Sequence, residues 1–136
     1  MKKSKKKKKS NSWKIKQHRD PFFKKSKTLG YRSRASFKLI ELNNKFKFIK
    51  KNTRLLDLGS YPGGWSQVAS KIVTNGKILS IDIKPMTPIK NVKFLRCDIF
   101  DLETKKKISE YFGGNLDVII SDMAADTTGN KSLDSI

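Results

Sequence analysis

The chain has 136 residues, 36% of them hydrophobic, which is enough for one domain with a real core and too little for two. A formal charge of +19 lies far beyond what solubility requires and points to a polyanionic partner. A single cysteine, Cys97, excludes an internal disulfide and a cysteine-rich zinc site, and a single histidine, His18, offers no metal cluster.

The charge is unevenly spread. Residues 1–54 carry 21 Lys and Arg against only Asp20 and Glu41, whereas the remainder carries ten charges of each sign. A genome-wide bias toward lysine accounts for Lys outnumbering Arg but not for that asymmetry. The run from Lys2 to Lys9 is broken only by Ser4, and residues 1–12 lack hydrophobic periodicity, so they are expected to form a disordered tail until an anion condenses on them. Such a tail could coat an anionic membrane as well as RNA, but no apolar anchor accompanies it. Residues 10–20 are too polar for the core of a signal peptide, so the protein reads as cytoplasmic with no membrane partner.

Residues 13–52 read as a basic, helical, RNA-binding segment. Ala35, Leu39, Leu42 and Phe46 fall at spacings of four, three and four, one face of a helix over residues 34–47. Beyond it, short apolar runs predict strands at 53–58, 77–83, 92–96 and 116–121, with helices at 64–73 and 102–112. That alternation implies an α/β fold, a Rossmann-like, doubly wound and mostly parallel sheet. Leu116, Val118, Ile119 and Ile120 form a nearly continuous apolar run, as expected of a parallel strand covered on both faces. Only a loop and a helix start at residues 133–136 follow, so residues 53–136 read as half a sheet, truncated after the fourth strand. Alone, such a half is expected to be unstable or to aggregate through its bare edge.

Ligands of such folds lie beyond the carboxyl ends of the strands, where the strand order reverses. The first strand runs through Asp57 and Leu58 into Gly59-Ser60-Tyr61-Pro62-Gly63-Gly64-Trp65, a glycine-rich turn opening a helix. The spacing matches neither the dinucleotide fingerprint nor a Walker loop, and a purely structural turn is the alternative. Its companions are informative. Asp82 ends the second strand 23 positions beyond Gly59, close to the offset at which a carboxylate accepts from ribose hydroxyls. Asp98 and Asp122 end the third and fourth strands. Any one of these, or Asp57, could be a solvated turn residue or helix cap. Four in register describe a site. Carboxylates repel phosphates and suit a nucleoside carrying a positive sulfonium, with Ile83 able to flank its ring, so S-adenosylmethionine is the favoured cofactor.

The residues Ser12, Trp13, His18, Asp20 and Pro21, then Tyr31-Arg32-Ser33-Arg34-Ala35-Ser36-Phe37-Lys38-Leu39, Asp57-Leu58-Gly59, Pro62-Gly63-Gly64-Trp65-Ser66-Gln67, Asp82, Pro85-Met86 and Ser121-Asp122-Met123-Ala124 carry a resemblance. The chain resembles the FtsJ-like, or RrmJ, family of RNA ribose 2′-O-methyltransferases, and within it the bacterial type that modifies a uridine of large-subunit ribosomal RNA. The resemblance implies S-adenosylmethionine contacted by Gly63, Trp65, Asp82, Asp98 and Asp122. It also implies a lysine, aspartate, lysine, glutamate tetrad whose first two members match Lys38 and Asp122, and whose other two belong to later strands. Arg32, Arg34 and Lys38 are then RNA contacts, the partner is ribosomal RNA in the large subunit, no metal is needed, and the full-length protein is a monomer.

Read from the residues alone, Lys38 could equally pair with Glu41 or join Arg34 as a phosphate contact. Ala125-Asp126 stands where the family has Pro-Asn, beside the reacting centre. Cys97, grouped with the third predicted strand, reads as a small buried hydrophobe rather than a nucleophile. Two other functions stay open: a non-catalytic RNA- or cofactor-binding fragment, and a 2′-O-methyltransferase of transfer RNA or another RNA.

Overall fold

The computed structural model describes residues 29–123. The expected tail at 1–12, the start of the basic segment, Ala125-Asp126 and the helix start at 133–136 lie outside the described residues. Helix α1 (Ala35–Phe46) is followed by β1 (Arg54–Leu58), α2 (Gly64–Ile72), β2 (Lys77–Asp82), β3 (Lys93–Arg96), α3 (Leu102–Phe112) and β4 (Val118–Ser121). All seven elements are those the apolar periodicity predicts, each within two residues at either end.

The four strands form one parallel sheet in the order β3-β2-β1-β4. The chain steps outward from β1 to β3 and returns to the opposite side of β1 with β4. The order therefore reverses between β1 and β4, and crevices at their carboxyl ends are the places for a ligand. Helices cover both faces. On one, Leu39 of α1 and Trp65, Val68 and Ala69 of α2 bury Leu55, Ile78 and Ile120. On the other, Phe112 of α3 closes over Leu56, Leu79 and Ile81. Leu39, Leu55, Leu79 and Ile81 are fully buried, each contributing roughly 1.5–3 kcal/mol by leaving water.

Local chemistry sets the joints. Helix α1 ends where Lys47 takes a left-handed conformation and its N–H donates to the Asn43 carbonyl at 2.7 Å. The Asn43 side chain then both donates to and accepts from the Ile49 backbone, aiming the chain at β1.

One expectation is corrected. The apolar run of β4 predicts coverage on both faces, but only Ile120 is buried and Ile119 is 59% exposed. The reason is position: among the described residues β4 is an edge strand paired only with β1, and α1 and α2 cover a single face of it.

Candidate functional site

The site begins at the glycine turn. Gly59 leaves β1 with φ +68°, and its N–H and that of Ser60 both donate to the Ile81 carbonyl, at 2.8 and 3.1 Å. The Met123 side chain lies where a Cβ on Gly59 would stand, so glycine here permits a close approach as well as the turn. Gly63, at φ +116°, forms the amino-terminal boundary of α2. Among the described residues no side chain caps that helix, which leaves its first N–H groups available to an anion or carboxylate.

Asp82, Asp98 and Asp122 come together at one cleft of about 360 Å³, lined also by Gly59, Tyr61, Ile83, Ile99 and Phe100. That volume is in the range of small-molecule sites. The half-buried Asp82 carboxylate accepts from the N–H groups of Tyr61 at 2.8 Å and Lys84 at 2.9 Å, which orients it from two loops. Asp98 accepts from Phe100 N–H at 2.9 Å, turning the chain so that the 84%-exposed Phe100 borders the cleft. A narrower cavity of about 30 Å³ continues toward α2 between Ser33, Asp57, Ser60, Gly64, Trp65 and Asp122. Ser60 Oγ, buried there, has no hydrogen-bond partner among the described residues.

Asp57 behaves differently from its companions. It is 1% exposed, accepts from Ser66 Oγ at 2.6 Å, and Ser66 Oγ in turn lies 2.6 Å from Ser80 Oγ, linking β1, α2 and β2 in one buried chain. Burial raises its pKa to about 7; the Ser66 hydrogen bond opposes the rise, while the charges of Asp122 and Asp82 add to it. The sequence places four aspartates in one register, but Asp57 lies inside the sheet rather than at the cleft mouth.

On the other side of Asp122 lies a cavity of about 310 Å³ lined by Arg34, Ala35, Phe37, Lys38, Glu41 and Asp122. Lys38 is exposed on α1, as the periodicity predicts. Asp122 lines all three cavities and so stands where the carboxylate cleft meets the lysine side.

Three residues take places that their sequence context does not reveal. Trp65, implied as a cofactor contact, is 8% exposed; its indole N–H donates to the Ala35 carbonyl at 2.7 Å, and of the three cavities it borders the narrow one. Arg32, implied as an RNA contact, directs its guanidinium to the carbonyls of Pro62, Thr87 and Pro88. Cys97 follows β3 instead of lying within it, is half-buried, and lines the carboxylate cleft. Phe100 and the Asp57-Ser66-Ser80 chain were not singled out for these roles. An aromatic two residues after a strand-end aspartate was the one available signal for the former; for the latter there was none. Among the described residues no group of three or more His, Cys, Asp or Glu side chains could hold a metal ion, and no helix is long and apolar enough to cross a membrane.

Residues 31–136 match the model of the FtsJ-like methyltransferase family. The chain is 43% identical over 133 residues to the ribosomal RNA large subunit methyltransferase E of Rickettsia canadensis, covering 93% of this chain and 59% of that protein. It is 44% identical over 127 residues to the Pelagibacter ubique protein of the same name, covering 93% and 63%. The chain thus spans about three-fifths of the length of the curated relatives it matches. A solved Plasmodium falciparum structure described as a ribosomal RNA methyltransferase superposes with a TM-score of 0.64 at 42% identity, over 76% of this chain and 62% of that one. With a parallel sheet that reverses at β1, a glycine turn opening α2 and carboxylates at the strand ends, the chain belongs to the FtsJ-like methyltransferase family.

Proposed function

We propose that the complete protein transfers a methyl group from S-adenosylmethionine to a ribose 2′-oxygen, on a uridine of large-subunit ribosomal RNA. The observation that carries this reading is the position of Asp122, shared between the carboxylate cleft and the cavity lined by Lys38.

The cleft suits this cofactor on chemical grounds. It presents Asp82, Asp98 and Asp122 with apolar Ile83, Ile99, Phe100 and Met123. Such a lining favours a cationic nucleoside and disfavours a phosphorylated one. Asp82 would hold the ribose hydroxyls and Asp98 the adenine edge, between Ile83 and Phe100. Gly64, at the start of α2, Trp65 and Ser60 line the narrow cavity suited to the amino-acid end, which Gly63 adjoins as the residue before α2. When bound, the cofactor supplies an electrophilic methyl group on its sulfonium.

The protein's own part is then mostly positioning. Lys38 and Asp122 face one cavity, where an ammonium and a carboxylate can orient a ribose hydroxyl and lower the cost of losing its proton. Arg34 and the lysines of α1 supply the electrostatic grip on the RNA backbone. The relatives' shared name, ribosomal RNA large subunit methyltransferase E, supports this substrate.

The test is methyl transfer by the complete protein to large-subunit ribosomal RNA that lacks the modification, with labelled cofactor. The product is mapped by its resistance to alkaline cleavage, which a 2′-O-methyl group confers. Label appearing only in transfer RNA would replace the substrate; label on a base would remove the 2′-oxygen reading; cofactor binding without transfer to any RNA would leave a binding protein.

A further inference from the structure

Arg32 lies in the basic segment, yet its guanidinium is turned inward. Nη1 donates to the carbonyls of Pro62 at 3.1 Å and Thr87 at 2.7 Å, and Nη2 donates to that of Pro88 at 3.0 Å. Pro62 belongs to the glycine turn; Thr87 and Pro88 belong to the loop between β2 and β3. These two segments are far apart in sequence and share no strand pairing. Both border the carboxylate cleft, through Tyr61 on one side and Ile83 and Lys84 on the other.

The arginine is itself held in place. Its backbone N–H donates to Gln67 Oε1 at 2.7 Å, and Gln67 Nε2 donates back to the Gly30 carbonyl at 3.1 Å, so its main chain is tied to the first turn of α2. A Cβ on Gly63 would come within 3.0 Å of Arg32 Nη1 and of Ile89, and 3.1 Å of Met86. The guanidinium, the buried Met86 and Ile89 therefore close around the one residue whose φ of +116° directs the chain into α2. Three carbonyls on two loops match the planar fork of a guanidinium, and a lysine ammonium, a point donor, cannot span them in the same way.

We propose that Arg32 is a positioning residue for the cofactor: it staples the glycine turn to the β2–β3 loop and so sets the shape, and the affinity, of the cleft, rather than binding RNA phosphate. The proposal rests on the cleft being the S-adenosylmethionine site. It also links the two ends of the site, because the segment that carries the staple continues directly into α1 and Lys38.

The experiment compares wild type, Arg32→Lys and Arg32→Gln in the complete protein. It measures the dissociation constant for S-adenosylmethionine by calorimetry, the salt dependence of RNA binding, and Tm. Arg32→Lys is expected to weaken cofactor binding by about tenfold to a hundredfold, the range for losing hydrogen bonds to a charged donor. The salt slope of RNA affinity should stay at its wild-type value. Arg32→Gln keeps a planar two-donor head and should recover part of the loss; it carries the comparison if the lysine variant does not fold. A phosphate contact would give the opposite pattern, with lysine substituting well and Arg32→Gln lowering the salt slope by about one. Wild-type cofactor affinity in both variants, with or without a lower Tm, would overturn the proposal alone. No cofactor binding by wild type would overturn the cofactor reading and the proposal with it.

Discussion

The two larger cavities that meet at Asp122 are built in different ways. The carboxylate cleft is assembled from the ends of β1, β2, β3 and β4, whose positions the parallel ladder sets, and its acidic side chains are braced by backbone N–H groups. The lysine cavity is formed chiefly by one exposed face of α1, with Asp122 as its contribution from the sheet. A site built on strand ends has its geometry set before a ligand arrives, whereas long side chains on a helix surface reach their working geometry when the substrate supplies partners. The first therefore suits a small cofactor bound in one orientation, and the second suits a large polyanion.

Substitution at the shared residue should have the largest effect. Asp122→Ala is expected to lower the rate of methyl transfer by about a thousandfold, within the span for losing a positioned proton-handling group, and also to weaken cofactor binding. Single-turnover transfer together with calorimetry measures both quantities, and a variant impaired in only one would show that the cavities work independently. Lys38→Ala should separate them. Transfer should fall by about a hundredfold or more while the cofactor dissociation constant stays at its wild-type value. A parallel loss of cofactor affinity would move Lys38 to the other cavity. Asp82→Ala tests the opposite side. It removes the acceptor that holds Tyr61 and Lys84 and should weaken cofactor binding by about tenfold to a hundredfold, with RNA affinity unchanged.

The smallest effect concerns the carboxylate that neither cavity displays. Asp57 has a folded-state pKa of about 7, above its ordinary 3.8, so the native state binds its proton more tightly than the unfolded state does. Its contribution to stability is complete below about pH 4, declines as the pH rises through the interval to about 7, and is lost above it. Asp57→Asn keeps an oxygen to accept from Ser66 and has no charge to bury, so chemical denaturation of the variant should lack the part of the decline between pH 4 and 7 that wild type shows. Identical pH slopes in the two proteins would mean that Asp57 stays ionised in the folded protein.

Apolar periodicity and turn chemistry were sufficient to place every strand and helix within residues 29–123, because each element is long enough to repeat its pattern. The spacing of aspartates at successive strand ends also located the cleft, since a parallel sheet brings those ends to one edge. Residues in the same motif could not be told apart this way. Arg32 and Arg34 look alike in the sequence, yet one is turned onto three carbonyls while the other lines the lysine cavity. Asp57 and Asp82 each fall at or near the end of a strand, yet Ser66 encloses one and Tyr61 orients the other at the cleft. The apolar run of β4 resembles an interior strand, but among the described residues it stands at the edge with Ile119 exposed. The sequence by itself determined the elements, their α/β class and which residue types stand at the cleft, all of which follow from local spacing. Which of two arginines is turned onto the glycine turn and the β2–β3 loop, and which aspartate is buried, only the tertiary structure decided. Those outcomes depend on contacts between residues 9 to 56 positions apart, and no local pattern encodes the partner of a side chain.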